Sequence, residues 1–146
     1  MKSLSRIDAA DWCTSHGVAL DDRGRPAKPA HASSFVIPAD TGARIALVVG
    51  DLRLFEGRSE LLFWITDWSV WPSGERPHIF DRLRASYGEM ASVKEVPAHV
   101  FSAVDYEDAV SFATLTVLFL WDVFLVSPGG RPMLHYSHDE HGWLLE

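Results

Sequence analysis

The stretch from Glu60 to Trp71 constrains the fold more than any other part of this chain. At the two-residue period of a strand, Leu62, Trp64, Thr66, Trp68 and Val70 fall on one face. Leu61, Phe63, Ile65, Asp67 and Ser69 fall on the other. Both faces are mostly apolar, and a strand of that kind stays out of water only if both sides are covered. It is therefore expected at the centre of a sheet, with Pro72-Ser73-Gly74 breaking it.

Other elements follow from caps and periods. Ser5-Arg6-Ile7-Asp8 reads as a capping box for a helix over 6–16, stopped by Gly17. Residues 21–29, with Gly24, Pro26 and Pro29, read as a polar loop. Ser33 to Ile37 and the β-branched run Arg44 to Val49 are expected to form a hairpin around Asp40-Thr41-Gly42, with Leu52 to Phe55 extended after it. A helix from Pro77 to Tyr87, closed by Gly88, would bury Ile79, Phe80, Leu83 and Tyr87 and turn Asp81, Arg82 and Arg84 outward. Asp105 and Asp108 suit the start of a further helix through the uncharged run 109–121, whose Thr, Val and Phe content suits a strand almost as well. Asp122 to Ser127 and Pro132 to His138 read as strands joined at Pro128-Gly129-Gly130. These elements define a single α+β domain over 1–146, with a mostly antiparallel sheet of five or six strands and about three helices.

Composition supports that reading. Six Trp and eight Phe among 146 residues supply a core that needs neither disulfide nor metal. Cys13 is the one cysteine, which fits a reducing compartment. No apolar run follows the charges of Met1 to Asp8, and the 13 residues from Ala109 to Trp121 fall short of the roughly 20 needed to span a membrane. The expectation is a soluble, cytoplasmic protein without membrane contact.

The net charge of −7 is unevenly placed. From Asp105 onward seven acids face the single base Arg131, giving −6, and the first 104 residues carry the remaining −1. A phosphate backbone would be repelled by that half, so nucleic acid is not an expected partner. An acidic surface suits a basic protein partner, or it simply confers solubility.

Several short segments occur in a familiar order: Trp64-Ile65-Thr66-Asp67-Trp68 with Trp71-Pro72-Ser73, then Arg82-Leu83-Arg84-Ala85-Ser86-Tyr87-Gly88. Pro97-Ala98-His99-Val100-Phe101, Trp121-Asp122 and Ser137-His138-Asp139-Glu140 follow. Over roughly the last 80 residues the chain resembles a group of small bacterial proteins of unknown function. The resemblance implies an α+β fold with a strand, a helix ending in Tyr-Gly, a buried helix and a closing hairpin. It brings no activity, cofactor or catalytic residue. Leu120 stands where that pattern has glycine.

The densest chemistry lies in His135, His138, Asp139, Glu140 and His141. Imidazole and carboxylate suit a divalent ion, but strand alternation turns His135 and His138 apart, and no familiar zinc spacing is present. The segment reads as a turn satisfied by Ser137 or Asp139, as a metal site, or as a His–carboxylate acid/base pair. Asp67 and Asp122 sit in apolar surroundings, where a carboxylate needs a partner; Arg82 and Arg84 are the nearest by pattern. Cys13 and His16 share a helix face without the rest of a nucleophilic site, so Cys13 reads as a packed thiol. Trp68 and Trp71 are core residues or, if exposed, anchors for a partner. Glycine-rich phosphate loops and Gly-x-Ser-x-Gly are absent, so no cofactor is implied.

The leading expectation is a binding protein, comparable in charge and size to bacterial immunity proteins, that engages a basic partner through Trp68, Trp71, His138, Asp139 and Glu140. The alternative is a hydrolase-like or metal-assisted enzyme using His138, Asp139 and Asp122. Either a monomer or a homodimer joined through the tryptophan-bearing face is compatible with the sequence.

Overall fold

Glu60–Asp67 lies inside a seven-stranded, fully antiparallel sheet in the computed structural model, which describes residues 1–68 and 77–146. Along the chain the elements are β1 (Lys2–Leu4), α1 (Arg6–Ser15), β2 (Ser33–Val36), α2 (Thr41–Leu52), β3 (Glu60–Asp67) and α3 (Pro77–Ser86). They continue as β4 (Ala98–Ser102), α4 (Tyr106–Leu118), β5 (Asp122–Val126), β6 (Met133–Tyr136) and β7 (His141–Leu145). The sheet order is β1-β4-β3-β5-β6-β7-β2, which puts β3 between β4 and β5 and leaves β1 and β2 at the edges.

Alternation along β3 sorts the core into two layers. Leu61, Phe63 and Ile65 face a cluster with Phe80, Phe101, Phe112, Val117 and Trp121, carried largely by α2, α3 and α4. Leu62 and Trp64 face the other way, toward Ala9 and Cys13 of α1 and toward Phe124, Met133 and Trp143. Burial pushes the Cys13 thiol up to about 12, which keeps it protonated and unreactive.

The capping box at Ser5 and Asp8 forms as the sequence predicts, and the uncharged run after Asp105 is helix α4 rather than strand. Five or six strands become seven because β1, β4 and β7 are short segments with weak sequence signals. About three helices become four, because Arg44–Val49 belongs to α2 and not to a hairpin strand. The Asp40 carboxylate accepts the Ala43 amide at 2.8 Å and starts that helix, and Arg44, Val48 and Leu52 form its buried stripe. β-Branched content argued for a strand there; cap and helical period prevail. Arg53–Phe55, expected to be extended, is a single 3-10 turn. In α3, Phe80 and Arg84 are buried while Ile79 and Tyr87 are exposed, so the helix is rotated from the expected face.

One irregularity repositions two site candidates. Register shifts between Ile65 and Asp67, a bulge that opposes Asp67 to Asp122. Beyond it the alternation is reversed. Asp67 leaves the Leu61–Phe63–Ile65 face for that of Asp122, and Trp68 packs against the cluster under α2–α4 rather than beside Trp64. Trp64 itself is 1% exposed, covered within the chain on the α1 side. Ser69, Val70 and Trp71 lie outside the described residues.

Candidate functional site at the closing hairpin

Cross-strand register builds one continuous row on the α1 side of the sheet. Trp64 lies opposite Phe124, Phe124 opposite His135, His135 opposite Trp143, and Trp143 opposite Ser34. The His135 ring sits 4.3 Å from Phe124 and 5.6 Å from Trp143 between ring centroids. Desolvation drives its pKa down to about 4, with Arg25 and Lys28 adding to the effect against the opposing pull of Asp122. His135 is thus a neutral, partly exposed ring in an aromatic row. On the opposite face Gly142, paired with Tyr136 and Phe35, leaves room for the Phe35 ring, since a Cβ there would collide with that ring and with the His135 carbonyl.

The next row carries the ionisable groups. Tyr136 ends β6, and residues 137–140 turn the chain into β7. Asp122 Oδ1 accepts both the His138 backbone N–H at 2.6 Å and its ring Nδ1 at 2.7 Å. His138 Nε2 lies 3.3 Å from Asp139 Oδ1. Both ring nitrogens therefore face carboxylates, an arrangement that suits the imidazolium. Partial burial works against that charge, but the Asp122 hydrogen bond and the charges of Asp122, Asp139 and Asp67 outweigh it and raise the His138 pKa.

Asp122, His138 and Asp139 line a cleft of about 300 Å³ that also takes in Asp21, Arg25, Lys28, Phe124, Ser137 and Trp143. Its two cations are already engaged. Arg25 is bound to Asp21 at 2.9 Å, and Lys28 Nζ donates to Ser34 Oγ at 3.0 Å. Asp122 and Asp139 flank the one imidazolium of the cleft. On the same face the Trp64 indole N–H and the Thr66 hydroxyl are buried without a hydrogen-bond partner among the described residues.

The expected site residues thus separate. Asp122, His138 and Asp139 converge, and the bulge brings Asp67 to the same side of the sheet. Glu140 does not join them; with φ +59 it turns away to pair with Arg44 at 3.1 Å. Trp68 is partly buried against the core, and Trp71 lies outside the described residues. Arg84, a suggested partner for the buried aspartates, serves a different cluster. It is fully buried, and it donates to Asp81 at 3.0 Å, His99 Nε2 at 3.1 Å, the Ala91 carbonyl at 2.8 Å and the Val96 carbonyl at 3.0 Å. Its sequence signal was its position four residues after Phe80 and three after Asp81, on the buried side of α3.

Among the described residues no group of three His, Cys, Asp or Glu side chains is placed to hold a metal ion. Nor is any described helix long and apolar enough to cross a membrane. Comparison with protein-family models, curated proteins and solved structures finds no match for the chain.

Proposed function

We propose that this chain is a non-catalytic, cytoplasmic protein-binding domain, and that the closing-hairpin cleft receives basic side chains of a partner. The observation that carries this reading is the pair of carboxylates, Asp122 and Asp139, set against the single His138 imidazolium in the cleft, where Arg25 is already paired with Asp21 and Lys28 is hydrogen-bonded to Ser34. Complementary charge at such a rim accelerates encounter and rejects acidic competitors. The acid-rich half of the chain, at −6, strengthens that bias. An immunity-like protein that neutralises a basic partner is one form of this function, and the resemblance to small bacterial proteins is compatible with it.

The catalytic alternative rests on the 2.7 Å Asp122–His138 contact inside a cleft. A general base must present an unprotonated nitrogen to its substrate. Here both nitrogens face carboxylates, so binding is the stronger reading.

Titration of intrinsic tryptophan fluorescence with oligoarginine and oligoglutamate tests the proposal, since Trp143 lines the cleft. Oligoarginine is expected to bind in a salt-sensitive manner, and the double variant Asp122→Asn/Asp139→Asn to weaken it by about tenfold, the equivalent of roughly 1.4 kcal/mol. Equal response to both peptides, or unchanged affinity in the double variant, would remove the reading.

A further inference from the structure

The three most exposed large apolar side chains among the described residues are Ile7, Met90 and Val104, at 75%, 83% and 92%. They come from three separate segments, and each is tied to β1. Ile7 lies in the first turn of α1, immediately after the strand. Val104 precedes Asp105, whose carboxylate holds the Met1 ammonium at 3.1 Å. Met90 follows Glu89, whose carboxylate lies near enough to the Ser3 hydroxyl for that hydroxyl to lower its pKa.

β1 ends the sheet. Its inner side pairs with β4 through Lys2–Val100, Ser3–His99 and Leu4–Ala98, and no described strand pairs with its outer side. An unpaired edge presents backbone donors and acceptors that accept another strand unless proline, charge, a bulge or a covering element prevents it. Within β1 the one guard of that kind is Lys2. Alongside lies a cleft of about 380 Å³ lined by Lys2, Ser3, Leu4, Asp8, Asp11 and Trp12.

We propose that β1 is a docking edge for an extended segment of a partner protein, with alternating side chains that are apolar toward Met90 and Val104 and basic toward Asp8 and Asp11. Strand alternation supplies the rule. Ser3 points to the His99 side, where Glu89 and Met90 lie, while Leu4 points into the α1-side core beside the acidic cleft wall. An incoming strand would show one set of side chains to each wall, its backbone giving affinity and the two walls giving specificity. Asp8 and Asp11 outnumber the single cation of that wall, Lys2, and so select lysine or arginine for the α1-side set. They also disfavour a second copy of this chain, because edge-to-edge pairing would bring two Asp8–Asp11 walls together. This surface is separate from the hairpin cleft and stands without it.

The test uses the full isotope-labelled chain and a short peptide alternating valine with lysine, compared with a valine–glutamate peptide and a lysine version broken by a central proline. Only the unbroken lysine peptide should shift the Lys2–Leu4 amides and slow their hydrogen exchange. Met90→Asp/Val104→Asp should weaken that binding by about tenfold, whereas Asp139→Asn leaves it unchanged. Both substituted side chains are exposed, so circular dichroism should report an intact fold. The proposal is overturned if millimolar lysine peptide leaves these amides untouched, or if the glutamate peptide acts equally. Concentration-dependent protection of the edge without peptide would overturn it too, by assigning the edge to a second copy.

Discussion

Two histidines, each bonded to neighbouring charged or polar side chains, have opposite fates in this molecule. His99 is fully buried. Its Nε2 accepts from Arg84, which leaves Nδ1 to donate to Ser3 Oγ at 3.2 Å. Desolvation, with the nearby Arg84 and N-terminal charges, pushes its pKa down to about 3. His138 has its ring nitrogens against Asp122 and Asp139, is partly exposed, and has its pKa raised. A histidine ringed by cations and core stays neutral and becomes structure. One ringed by carboxylates at a rim holds its charge.

The buried cluster should dominate stability. Replacing Arg84 by Met removes donors from Asp81, His99 and the Ala91 and Val96 carbonyls at once, and loss of one member of a buried charged network costs about 3–5 kcal/mol. Urea unfolding of Arg84→Met measures this. A cost below about 1 kcal/mol, the worth of an exposed ion pair, would erase the distinction between the two clusters.

The hairpin cluster should yield a smaller, pH-dependent effect. Because the folded pKa of His138 lies above its ordinary 6.5, its stabilisation is complete below that value and fades as pH rises through the folded pKa. Asp122→Asn should lower the His138 pKa and cost about 1–2 kcal/mol at pH 5.5, less at pH 9. Ring-proton NMR and denaturation at the two pH values read both quantities. His99 has the opposite sign. Its folded pKa lies below 6.5, so the stability it lends is complete above that value and is lost progressively as pH falls toward 3. An Asp122→Asn penalty that grew toward alkaline pH would contradict the assignment of His138 as the cationic member.

The sequence disclosed these two clusters unequally, for physical reasons. Two apolar faces placed β3 inside the sheet and the capping box placed α1, whereas the uncharged run of α4 suited helix and strand almost equally. Asp122 and His138 were each visible as candidates, but only the β5–β6 register brings residues 16 apart to 2.7 Å. The Thr66 bulge was invisible, because a single added residue changes no composition or period upstream, yet it reversed the faces of Asp67 and Trp68. Arg84 was misplaced because arginine is ordinarily a surface residue. Its burial depends on the carbonyls of 91 and 96, which α3 itself does not reveal.

The smallest effect concerns the link between α4 and Asp122. Leu120 has φ +56, a left-handed conformation that costs a non-glycine residue about 1–2 kcal/mol. Its side chain is partly exposed, so its removal forfeits little burial. Leu120→Gly relieves the strain while adding freedom to the unfolded chain. The net expectation is a gain of about 0.5–1 kcal/mol, read as a higher urea midpoint with an unchanged slope. The His138 pKa should not move, because the pairing of β5 with β6, and not the turn before it, fixes Asp122. A fall in that pKa would mean that the strained turn aims the carboxylate, and the open cluster would then be as pre-set by backbone geometry as the buried one.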